Sequence, residues 1–150
     1  MNKVFSHAEE VPLPSWAKEA DGFIQKVLQE LGHTSWEVSL LFCSNRYIKA
    51  LNSQYRDKDE PTDVLSFALG ETDSGTGRYV AGDIAVSLDA LAENARFFGV
   101  SQDEELRRLL VHGILHLAGE DHDTNEPEEP MLKHQEEILA RLAGERITGE

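Results

Sequence analysis

The stretch from Leu109 to Asp123, L-L-V-H-G-I-L-H-L-A-G-E-D-H-D, constrains this chain more than any other. It holds His112, His116 and His122, three of the six histidines. On a helix of about 3.6 residues per turn, His112 and His116 stand one above the other on a single face. Gly119 can take the left-handed conformation that ends a helix, and a reversal there swings His122 back towards the first two. Neutral imidazoles are natural zinc ligands, and three protein ligands leave a fourth position open, as in a catalytic zinc site rather than a structural one.

A His-x-x-x-His pair alone is commonly two unrelated residues. Here the added glycine and third histidine reproduce the frame of the H-E-x-x-H-x-x-G-x-x-H zinc proteases. The surrounding residues Leu109, Leu110, Val111, Ile114, Leu115 and Leu117 are strongly apolar, so histidines without a partner there would carry a desolvation cost. One departure matters. The glutamate that activates water in those proteases is replaced by Gly113. The metal frame is present and the protease base is absent.

With 150 residues, the chain is expected to form one domain, spanning 1–150, with a real hydrophobic core. No apolar run is long enough for a membrane span, and the first residues, M-N-K-V-F-S-H-A-E-E, do not resemble a signal peptide. Cys43 is the one cysteine, which fits a reducing cytoplasm. Its place after Leu40, Leu41 and Phe42 predicts a buried structural thiol. A net charge of -14 at first argues against a nucleic-acid partner. The charge is lopsided, however. Between Ser44 and Lys58, Arg46, Lys49, Arg56 and Lys58 face the single acid Asp57, whereas beyond Gly119 ten acids face Lys133, Arg141 and Arg146.

Periodicity predicts a helix opened by Pro14 and Ser15 and closed by Gly32, then a strand over Trp36–Phe42. Ser44 caps a second helix running to about Tyr55. Pro61 breaks the charged loop of 57–63, and Val64–Leu69 reads as a strand. A turn at Gly70–Gly77 precedes a strand over Asp83–Ser87, with Arg78–Ala81 leading into it. Leu88–Phe98 is a helix ended by Gly99, and Ser101 with Glu104 forms a capping box for the histidine helix. A last helix opens at 125–130 and runs to about Ala143, its acidic face solvated. The order is that of an α+β fold, a small mixed sheet covered by helices.

Three separated motifs, L-N-S-Q-Y-R-D-K-D-E-P-T-D-V-L-S-F (Leu51–Phe67), A-G-D-I-A-V-S (Ala81–Ser87) and H-G-I-L-H-L-A-G-E-D-H (His112–His122), stand in the order seen in the YbeY family. The chain resembles that family, bacterial metal-dependent endoribonucleases of ribosomal RNA maturation, over about half its length. The resemblance implies a zincin-like α+β fold with the histidines on a central helix and the turn after it. It implies one zinc ion per chain bound by His112, His116 and His122, and Arg56 as the functional arginine. It further implies single-stranded RNA as substrate, with the small ribosomal subunit as partner and the 3′ end of its RNA as target, and neither DNA nor membrane. Where this chain has Glu120 the family often has an aromatic residue.

The chemistry can be argued from the residues as well. Zinc lowers the pKa of bound water to about 7 and polarises a phosphoryl oxygen. A guanidinium fork suits the charge developing on phosphoryl oxygens better than an ammonium, and Arg56 is the best candidate. With Gly113 in the protease-base position, the attacking group could be zinc hydroxide, water activated by another carboxylate, or a ribose 2′-hydroxyl. Asp121 could orient a ligand or simply end the helix, and Asp63 and Asp83 fit capping and strand-end roles as well as functional ones. Two other functions remain open. One is a zinc hydrolase of peptides or small amides. The other is a non-catalytic ribosome-assembly factor whose zinc holds the fold, with Asp121 or Asp123 closing the fourth position.

Overall fold

The computed structural model describes residues 1–148. Nine elements follow one another: β1 (Lys3–Glu9), α1 (Ala17–Glu30), β2 (Trp36–Cys43), α2 (Asn45–Arg56), β3 (Val64–Thr72), β4 (Tyr79–Ser87), α3 (Leu88–Phe98), α4 (Gln102–Leu117) and α5 (Pro130–Arg141). The four strands form one sheet in the order β1-β2-β4-β3. β1, β2 and β4 run parallel and β3 is antiparallel to β4. The architecture is the expected α+β fold with a mixed sheet under helices. No helix among the described residues is long and apolar enough to cross a membrane.

Alternation within the central strands sorts the two faces. Val38, Leu40 and Phe42 of β2 join Ile84 and Val86 of β4 in the main core, packed against α1 and the apolar side of α4. The opposite face carries Cys43, Leu65 and Ala85 under Ile48 of α2. Cys43 is fully buried there, and burial pushes its thiol up to about 12, so it is the structural thiol expected.

Serine caps begin three of the helices. Ser44 accepts from the Tyr47 backbone N–H at 3.1 Å, Ser87 from Ala90 at 3.2 Å and Ser101 from Glu104 at 3.0 Å. These satisfy backbone donors that the first helical turn leaves without a partner.

Three features differ from the sequence reading. β1 was not anticipated. It is a half-covered edge strand, tied in where buried Asn2 donates to His33 O (2.9 Å) and accepts from Trp36 N (2.8 Å). β3 runs on to Thr72, into the stretch read as a turn, and β4 takes in the stretch leading to it from Tyr79, leaving a short reversal in which the Asp73 carboxylate accepts from Gly75 N (3.0 Å) and Thr76 Oγ1 (2.9 Å). α5 is not simply a solvated acidic helix: Met131, Gln135 and Ile138 are buried on its inner side.

Two glycines let the layers meet. A Cβ at Gly82 (φ 142°) would lie 2.1 Å from the carbonyl oxygen of Phe67, so the β3–β4 irregularity requires glycine. At Gly113, a Cβ would lie 3.1 Å from Ile84 of β4. Helix α4 therefore rests on the sheet at the position that carries the catalytic glutamate in the zinc-protease frame. Ser66 Oγ of β3 donates to Gly113 O at 3.1 Å and fixes the same contact.

Candidate metal centre

Helix α4 supplies His112 and His116, and the loop after it supplies His122. Gly119 (φ 92°) makes the reversal, a conformation costly for any residue with a Cβ. Gly119 N donates to His116 O at 3.0 Å and Glu120 N to Leu115 O at 3.0 Å, closing the helix end. One side-chain nitrogen from each histidine falls within 4.8 Å of the others. His112 Nε2 and His116 Nε2 are 3.1 Å apart. Two nitrogens on a tetrahedral zinc at about 2.0–2.1 Å are separated by roughly 3.3 Å, so this spacing fits a shared ion.

The remaining ring nitrogens fix which lone pairs point inward. His122 Nδ1 lies 2.7 Å from Thr124 O. A carbonyl only accepts, so Nδ1 carries the proton and Nε2 presents its lone pair. His112 Nδ1 lies 2.7 Å from Gln135 Oε1, while Gln135 Nε2 donates to Glu136 Oε2 at 3.3 Å. The amide thus turns its oxygen to His112 and holds that ring in the same tautomer. Burial lowers the pKa of both His112 and His116, in part offset at His112 by the Gln135 bond and reinforced at His116 by His112. Neutral imidazoles are the form that binds a metal. The donor set therefore fits a divalent ion on geometry and on protonation.

Arg56 is the last residue of α2, followed by Asp57 as a left-handed cap (φ 58°). Its Nη2 donates to Ser66 O of β3, and its guanidinium carbon lies 5.5 Å from the Phe67 ring centroid. Arg56, Ser66, His112 and His116 all line one cleft of about 270 Å3. A second cavity, of about 580 Å3, opens on the other side of His112 and is bounded by His122, Asp63 and Glu105.

The other sequence candidates separate. Asp63 accepts from Val64 N (2.7 Å) and from Asn94 Nδ2 (3.1 Å), at the edge of the larger cavity. Asp83 faces a different hollow, on the α2 side of the sheet with His7 and Tyr55, and is not brought to the histidines. Asp121 Oδ1 accepts from His122 N at 2.8 Å and lies 3.9 Å from His116 Nδ1, too far for a hydrogen bond. Glu120 pairs with His134 Nδ1 at 2.7 Å. Within the basic stretch, Arg46 is turned to Glu10 at 3.1 Å and Lys49 lies 4.0 Å from Asp59.

Sequence reasoning missed Gln135, Thr124 and Glu105. For Gln135 a signal existed: it falls in register with Met131, Ile138 and Leu142, a lone amide in an apolar stripe. Glu105 likewise shares its helical face with Leu109, His112 and His116.

Comparison with known proteins extends the likeness beyond the three motifs. The profile of the family described as endoribonuclease YbeY matches residues 3–143. A protein named endoribonuclease YbeY from Treponema denticola is 54% identical over 130 residues, covering 85% of this chain and 84% of that protein. One from Treponema pallidum is 43% identical over 144 residues, covering 94% and 90%. A Thermotoga maritima protein solved in solution superposes with a TM-score of 0.65 at 31% identity, covering 97% of this chain and 91% of that one.

Proposed function

Because the chain belongs to the endoribonuclease YbeY family, we propose that it cleaves single-stranded RNA phosphodiesters with one zinc ion held by His112, His116 and His122. On this reading it acts in the cytoplasm on ribosomal RNA, at the 3′ end of the small-subunit species, and the whole chain is one catalytic domain. The observation that carries the reading is the cleft that Arg56 shares with His112 and His116. A guanidinium and a metal-ligand set on the walls of one opening suit phosphodiester cleavage.

A zinc ion held by His112, His116 and His122 would supply Lewis acidity there, for polarising a phosphoryl oxygen and for making water acidic near neutral pH. Arg56 meets the charge that develops on the phosphoryl oxygens with a planar fork. Its bond to Ser66 O and its stack on Phe67 hold the fork in place. Gln135 and Thr124 keep two imidazoles turned inward. A net charge of -14 opposes capture of free RNA. Presentation of the RNA on the small ribosomal subunit, where a protein partner adds attraction, resolves that opposition.

The test is to incubate zinc-loaded and chelator-treated protein with single-stranded RNA, duplex RNA and casein. Cleavage of the single strand alone, lost on chelation and in His116→Ala, is expected. Hydrolysis of casein without RNA cleavage would select the peptidase reading. A zinc-replete protein inert towards all three would select the assembly factor.

A further inference from the structure

The cavity beside His112 and His122 has the makings of a second recognition element. Its volume of about 580 Å3 lies in the range of small-molecule pockets. Val64, Leu109 and Leu132 give it apolar walls, and Phe98 stands at its edge. Phe98 is 62% exposed and meets Phe97, itself 83% exposed, edge-on with ring centroids 5.1 Å apart. Exposed aromatic rings beside a cavity mark a contact surface.

The polar lining excludes phosphate. Asp63, Glu104 and Glu105 bring carboxylates, and the arginine among them is already engaged: Arg108 contacts Glu104 at 3.4 Å and Glu136 at 3.1 Å. What such a lining favours is neutral, flat and rich in N–H donors. Glu105 is 5% exposed. Asn94 Nδ2 donates to its Oε2 at 3.3 Å, and Oε1 accepts from no side chain or backbone donor among the described residues. Burial pushes this carboxyl up, with Asn94 pulling it partly back. Glu105 borders the cavity, where its free oxygen can accept from the N–H groups of a ligand.

Resting on the endoribonuclease reading, we infer that this cavity is a nucleobase pocket in which Phe98 stacks on an unstacked base of the RNA and Glu105 selects guanine. Guanine offers two parallel N–H donors, at N1 and N2, that match both oxygens of a carboxylate. Adenine and cytosine place a ring acceptor beside their amino group, and uracil flanks its single N–H with carbonyls. His112 lines both openings, so phosphate enters on the Arg56 side while the neighbouring base turns into this pocket. Unstacked bases held on aromatic rings and read along their edges are the usual mode of single-strand RNA recognition.

The experiment titrates zinc-loaded protein with the 5′-monophosphates of guanosine, inosine, adenosine, cytidine and uridine, following binding by NMR. The phosphate is common to all five, so differences report the base. Guanosine monophosphate is expected to bind about tenfold more tightly than inosine monophosphate, which lacks the 2-amino group. Glu105→Gln is expected to abolish that difference, and Phe98→Ala to weaken all five about tenfold without reordering them. Equal binding of all five, or a guanosine preference unchanged in Glu105→Gln, overturns the proposal. If Glu105→Gln fails to fold, the guanosine–inosine ratio in wild type and Phe98→Ala still decides. Cleavage of an unstructured RNA is measured on the same preparations. Cleavage without base selectivity removes the pocket and spares the nuclease reading, whereas selectivity without cleavage does the reverse.

Discussion

His112 Nδ1 and Gln135 Oε1 are 2.7 Å apart, joining the histidine helix α4 to α5 across 23 residues of sequence. The contact makes a helix with an acidic outer face part of the candidate metal centre. Gln135→Leu should lower zinc affinity about 10–100-fold, the usual cost of losing such an outer partner. Gln135→Glu keeps the acceptor and should retain tight binding. Competition against a chromogenic chelator measures both, and equal affinity in the Leu variant would remove Gln135 from the site.

The pH dependence of the metal-free protein follows from the same histidines. Burial depresses the pKa of His112 and of His116 in the folded state. Their stabilising contribution is therefore complete above the unfolded value, about 6.5. It is lost as pH falls through the folded values, because the unfolded chain takes up protons first. Thermal melts of metal-free protein between pH 8 and 5 should show this decline, and His112→Gln should make it shallower. Identical slopes in the two proteins would contradict the assignment.

Arg56→Lys keeps a positive charge in the cleft but not the bidentate fork. Cleavage of single-stranded RNA should fall on the order of 10²-fold, with zinc content and melting temperature near those of the parent. All three are measured on one preparation. An unchanged rate in a folded, zinc-replete variant would take Arg56 out of the mechanism.

Asp103 is fully buried at the start of α4, 2.8 Å from Arg107 Nε, and accepts from the backbone N–H groups of Ile147 (2.6 Å) and Thr148 (2.8 Å). Burial alone would raise its pKa, but these backbone bonds and Arg107 outweigh it and hold the carboxyl below its ordinary value. Asp103→Ala strands Arg107 and frees the C-terminal segment. It should cost about 3–5 kcal/mol, the usual penalty for breaking a buried pair. Calorimetry should show a melting temperature lower by roughly 10 °C or more. A shift of a degree or two would show the pair to be dispensable.

What was legible in the sequence was local. The His112, His116, Gly119, His122 spacing depends on helix pitch and one reversal, and the caps at Ser44 and Ser101 depend on bonds three residues long. β1 was not legible because Phe5 faces solvent while small Ser6 and Ala8 face inward, so its apolar residues do not alternate to one side. Gln135 and Asp103 find partners 23 and 44 residues away. Only the folded chain brings those together. Arg56 could be named from its chemistry, but its place in one cleft with His112 and His116 depends on the contacts of the end of α2 with Ser66 and Phe67 of β3.

The close approach at Gly113 also bears on how this architecture can diversify. A single base change that brought a glutamate to this helix position would set its first carbon 3.1 Å from the Ile84 side chain, which would have to give by a few tenths of an ångström. A smaller side chain at position 84 would relieve that contact without moving the helix that carries His112 and His116. Acquiring the protease-type base on this scaffold would thus be eased by a second change on the sheet, at position 84, and not by one on the helix itself.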